Sequence, residues 1–60
     1  MHYDASARTV RMSRAAKWNV MDLKGSVVAS GFGSEVRMGE IRRGTYLVKC
    51  ESTMIRVMNR

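Results

Sequence analysis

His2 and Cys50 are the side chains best suited to nucleophilic or metal chemistry, and the chain has one of each. A cysteine nucleophile needs a base that holds it as thiolate, and the single histidine lies far away in sequence near a terminus expected to fray. Cys50, in an apolar stretch beside Val48, is read as a small buried hydrophobe. One His and one Cys also fall short of any closed metal-ligand set. Asp22 could serve as a general base. Its place before Lys24 and Gly25 instead predicts an Asx turn, in which the carboxylate caps backbone amides. Glu35, Glu40 and Glu51 have no spacing that pairs two carboxylates. Gly31-Phe32-Gly33 resembles a phosphate loop only superficially, because no helix is expected behind it to present its amides. The chain is therefore expected to be no enzyme and to carry no metal or cofactor.

Charge points to binding. Eleven Lys and Arg stand against five Asp and Glu, a net +6 over 60 residues. Such a surface favours anionic partners: nucleic acid, anionic lipid headgroups, lipopolysaccharide or acidic glycans. The aromatic residues are Tyr3, Trp18, Phe32 and Tyr46. Trp18 and Tyr46 are expected to point inward, which leaves no stacking platform for bases or sugars. No apolar run approaches the roughly 20 residues that span a bilayer. The first fifteen residues also lack the apolar stretch of a secretory signal. A single cysteine excludes an internal disulfide.

The elements that must position these residues are short strands. Proline is absent, and glycines at 25, 31, 33, 39 and 44 leave no stretch long enough for a helix after Gly25. Alternation predicts strands over 8–13 (Val10 and Met12 inward), 15–21 (Ala16, Trp18 and Val20 inward), 26–30, 35–38 (Val36 and Met38 inward), 45–51 (Tyr46, Val48 and Cys50 inward) and 54–59 (Ile55 and Val57 inward). A tight turn covers Asp22 to Gly25, and Gly31 to Ser34 is expected to be a loop. Gly39 to Gly44 is a connector with one 3₁₀ turn and Ile41 tucked in. A helix over 13–23 is the rival reading, and the Trp-Asn-Val stretch argues against it. The fold class is thus all-β: a small antiparallel β-sandwich of about six to seven short strands, with 8–60 as one module and 1–7 frayed. A core this thin leaves little stability to spare. The alternation turns Arg11, Lys17, Arg37, Lys49 and Arg56 outward, and with Arg42, Arg43 and Arg60 these make a basic surface spread over the module. Edge strands allow weak self-association.

Residues 18–31 (WNVMDLKGSVVASG), 36–50 (VRMGEIRRGTYLVKC) and Ile55-Arg56-Val57 resemble, in order and spacing, the C-terminal sorting domains of type IX secretion cargo. The Asp22 to Gly25 turn and Gly44-Thr45-Tyr46 carry the likeness. The strong basicity is similar to that of basic terminal domains on plant-cell-wall-degrading enzymes of rumen bacteria. The resemblance implies a non-catalytic C-terminal module of a larger secreted protein, such as a polysaccharide-degrading one. Its partner would be the outer-membrane secretion machinery or an anionic surface or polymer, and its place outside the cell or on the outer cell surface. A small basic nucleic-acid-binding β-module is the alternative.

Overall fold

Thr9–Met21 runs as one 13-residue strand, β2, around which the other elements assemble. Its Val, Met, Trp and Thr content suits a pleated surface buried on one side. Val10, Met12, Ala16, Trp18 and Val20 pack inward, while Arg11, Lys17 and Asn19 are exposed. In the computed structural model, which describes all 60 residues, β2 is central to a single antiparallel five-stranded sheet. His2–Asp4 (β1) pairs with the start of β2, and Gly44–Cys50 (β4) pairs with its end. Val27–Arg37 (β3) follows the opposite edge, and Thr53–Asn59 (β5) adds to β4.

A bulge bends the sheet. Arg11 opposes Glu35 and Ala16 opposes Gly33, so β2 has Met12 to Ala15 where β3 has only Ser34. The surplus is odd, so the side chains of β3 change face there while those of β2 keep their phase. Ala29 packs on the core from one end of β3, and Val36 is buried from the other. The curl brings Val10 and Val36 against Val20, Val48 and Val57, each no more than 1% exposed. The fold is all-β and antiparallel, as alternation implies, and its facing layers are two ends of one sheet.

The strands are five where six to seven were expected. The strands expected over 8–13 and 15–21 merge into β2, and those over 26–30 and 35–38 into β3, with Arg8, Ser26 and Met38 left outside them. The helical alternative over 13–23 is replaced by β2. Gly31 to Ser34, expected as a loop, is the middle of β3, where Phe32 pairs with Lys17 and Gly31 with Trp18. Two glycines and the change of face hide the period there. The connector has its expected 3₁₀ turn and half-buried Ile41, but the turn covers Met38–Glu40, taking Met38 from the expected strand, and Gly44 already belongs to β4.

Residues 1–7, expected to fray, are also held. Tyr3 packs on the core from β1. An Asp4 carboxylate oxygen accepts from the Ser6 hydroxyl (2.8 Å), the Ser6 amide (3.1 Å) and the Ala7 amide (3.3 Å), fixing the turn into β2. The Ser6 hydroxyl bond, then the Ala7 amide, hold the Asp4 pKa below its ordinary value, with the Ser6 amide and Arg11 adding and desolvation opposing. A depressed folded-state pKa stabilises above the unfolded value, and that contribution is lost as pH falls through the folded one. The stability difference between parent and Asp4→Asn is accordingly expected to shrink on acidification, as measured by urea unfolding across an acid pH series.

Both turn signatures form. Asp22 Oδ1 accepts from the amides of Lys24 and Ser26, each at 2.9 Å, and Gly25 takes φ +92°. Residues 41–46 form a tyrosine corner: the Tyr46 hydroxyl donates to the Arg42 carbonyl at 2.8 Å across Gly44. That carbonyl also accepts from Asn59 Nδ2 at 3.1 Å, so removing the hydroxyl does not orphan it. Tyr46→Phe is therefore expected to cost only about 1 kcal/mol, or a melting shift of roughly 4–8 °C, measurable by thermal denaturation.

Candidate functional site

Beyond the bulge, β3, β2, β4 and β5 lie side by side, and register fixes what their outer face carries. Asn19 sits between Ser30 and Lys49, and Lys49 opposes Met54. Met21 sits between Val27 and Leu47, and Leu47 opposes Arg56. Phe32 opposes Lys17, and Thr45 opposes Met58. Lys17, Lys49 and Arg56 thus stand on one face, diagonal neighbours separated by about 7–8 Å. None of the ladder partners on this face is Asp or Glu. Large apolar side chains lie among the cations: Phe32 is 72% exposed and Met54 55%.

Four of the five acids are engaged elsewhere. Arg11 lies 2.7 Å from Glu35 and 3.8 Å from Asp4, and Arg14 lies 3.2 Å from Glu51. Asp22 is occupied by turn amides. Surface pairs of this kind contribute little to stability. Their consequence is to sort charge, neutralising one end of the sheet and leaving Lys17, Lys49 and Arg56 unpaired. Arg11, expected in the basic surface, is therefore compensated. Arg37 and Arg42 border a cleft on the other side, Arg43 is exposed in the connector, and Arg60 follows β5. The eight cations expected to form a diffuse surface thus divide into an outer-face group, a cleft group and scattered ones.

Asp22, Gly25, Gly44 and Tyr46 build turns and core. Cys50 is buried, opposite Trp18 on β2 and Thr53 on β5. His, Cys, Asp and Glu side chains nowhere gather in threes. Gly31-Phe32-Gly33 lies within a strand with no helix behind it, so it forms no amide cradle. No helix is long and apolar enough to cross a membrane.

Sequence reasoning missed Phe32 as an exposed residue of this face. The available signal was Trp18. A large inward ring needs a partner without a side chain on the adjacent strand, and Gly31 supplies it, which turns Phe32 outward. Comparison with protein-family models, curated proteins and solved structures finds no match for this chain.

Proposed function

We propose that this chain is a non-catalytic attachment module that holds an anionic surface or polymer against the outer face of β3, β2, β4 and β5. The observation behind this reading is the grouping of Lys17, Lys49 and Arg56 with exposed apolar side chains, none of the three in a salt bridge or opposite a carboxylate in the ladder. Three cations neutralising three anionic groups predict a log-affinity that falls with log salt at a slope of roughly −2 to −3. The apolar residues add contact that salt does not weaken. The ordered likeness to sorting domains supports reading the module as part of a larger secreted protein, where the same surface would serve attachment after or during export.

Charge reversal separates a face from bulk charge. The triple variant Lys17→Glu, Lys49→Glu, Arg56→Glu is expected to lose binding to vesicles containing anionic lipid, to lipopolysaccharide and to acidic polysaccharide, measured by cosedimentation. Arg37→Glu, Arg42→Glu, Arg43→Glu changes net charge equally and is expected to retain most of it. Equal losses in the two variants would reject a defined face. For sorting, the chain is fused to a periplasm-directed reporter in a bacterium with type IX export, and a reporter confined to the periplasm rejects that part.

The exposed Phe32 beside Lys17 supports a second reading, binding of single-stranded nucleic acid with one base stacked on the ring. Phe32→Ala would then weaken oligonucleotide binding by about 1–3 kcal/mol while leaving the salt slope unchanged. An unaltered affinity would dismiss it.

A further inference from the structure

β3 leaves one edge unpaired along its 11 residues, Val27–Arg37. The backbone hydrogen bonds outside the ladders, donated by Arg8, Asp22, Gly25, Met38 and Ile41, do not reach it. Exposed edges are often guarded by Lys, Pro, other charges or bulges; β3 has no Lys or Pro, and its two charges, Glu35 and Arg37, sit at one end beyond the bend. Beside this strand lies a cleft of about 750 Å³. β3 forms one wall, the connector at Glu40, Ile41 and Arg42 the other, and Trp18 and Tyr46 line it between them. β5, the other long free edge, is 7 residues long and contributes nothing to this cleft.

We propose that the cleft takes an extended, acid-bearing peptide segment of another protein, added as a strand to the free edge of β3. A row of unspent amides and carbonyls is matched in register only by another extended backbone. Ala29, Ser30, Gly31, Gly33 and Ser34 keep the edge low, so a partner backbone can come to ladder distance, about 4.8 Å. Alternate side chains of the incoming strand would fall on Trp18, Ile41 and Tyr46. Charge selects the occupant. Glu35 is already held by Arg11 at 2.7 Å, whereas Arg37 and Arg42 have no carboxylate partner, leaving Glu40 as the only uncommitted acid of the rim. A second copy of the chain would bring +6 against +6, which disfavours self-pairing.

The probe is a capped, fluorescein-labelled peptide alternating Asp with Val, about nine residues long to cover most of β3 at roughly 3.3 Å per residue. Saturable binding in the micromolar range is expected from fluorescence anisotropy. Hydrogen exchange is expected to slow at residues 28–37. N-methylation of alternate residues in the peptide, which removes its ladder donors, is expected to abolish binding. Arg37→Glu and Arg42→Glu, both at exposed side chains, are each expected to weaken it about tenfold, or 1.4 kcal/mol. The Lys17→Glu, Lys49→Glu, Arg56→Glu triple should bind the peptide unchanged, so failure of the attachment reading and failure of this one are distinguishable. The proposal is overturned by undiminished binding of the N-methylated peptide, by protection confined to the outer face, by no binding at about 1 mM, or by a chain that is dimeric through β3 in sedimentation.

Discussion

Asn59→Asp is expected to leave the chain largely unfolded at neutral pH. Asn59 is 1% exposed, and its Nδ2 donates to the carbonyls of Met38 (2.8 Å), Ile41 (3.1 Å) and Arg42 (3.1 Å). Its Oδ1 accepts from Arg8 Nε at 3.1 Å. One side chain thus ties the end of β5 to the connector and to the start of β2. A carboxylate there would set negative charge against three carbonyl oxygens, with Arg8 as the only compensating group. A buried, poorly compensated charge costs several kcal/mol, and a domain of this size rarely has more than about 3–5 kcal/mol of net stability. The charge term therefore wins.

The pH dependence checks the cause. Burial among carbonyls raises the folded-state pKa of the introduced carboxyl above its unfolded value, near 3.9 for aspartate. Its neutral form supplies one donor, so stability is fullest below the unfolded pKa and is lost as pH rises through the folded one. Circular dichroism of Asn59→Asp should show structure returning toward about pH 4. Asn59→Ala, which removes the donors without adding charge, is expected to lose about 2–4 kcal/mol with no such recovery. A variant as stable as the parent at neutral pH would refute the role assigned to Asn59.

The second large effect is expected at Gly31. A Cβ there would lie 2.7 Å from Trp18 Cζ2, 3.1 Å from Cε2 and 3.2 Å from Cη2. These are atoms of a rigid ring wedged against the core, so backbone or indole must move. Overpacking of this kind typically costs about 1–3 kcal/mol. Gly31→Val, with two further methyls, is expected at or above the upper end. The cause is isolated by a double-mutant cycle with Trp18→Leu, in which Gly31→Val should cost at least about 1 kcal/mol less than in the parent. Additive costs in urea unfolding would mean that the ring is not the obstacle. The indole Nε1 has no hydrogen-bond partner, so no polar anchor has to be broken if the ring is displaced.

What was legible in the sequence was local. The even-numbered apolar series from Val10 to Val20 gave the inward face of β2, because one strand carries it in one phase. Asp22 and Tyr46 act over short separations, on amides two and four residues ahead and on a carbonyl four residues back. What was hidden depends on which strands meet. Asn59 contacts Met38 and Arg8 at separations of 21 and 51, and nothing near Asn59 in sequence marks it as buried. The β1 strand is too short to show a period, and it is held by pairing with β2 and by Asp4. Charge sorting was invisible for the same reason. Arg11 meets Glu35 only because β2 and β3 share a register, and without that register eleven cations look evenly spread.

The bulge also limits how the length of this chain can drift. Since β2 holds one phase through Met12 to Ala15, adding or deleting two residues there would preserve which side chains face the core. A change of one would turn every residue on one side of the alteration over, sending Lys17 and Asn19 inward and Trp18 and Val20 into water. The hairpin tips at Leu23-Lys24 and Glu51-Ser52 sit outside the ladders and carry no such parity rule. Length variants of this fold should therefore accumulate at the tips, most readily at Glu51-Ser52 because Asp22 caps fixed amides at the other tip, and at the bend in even steps.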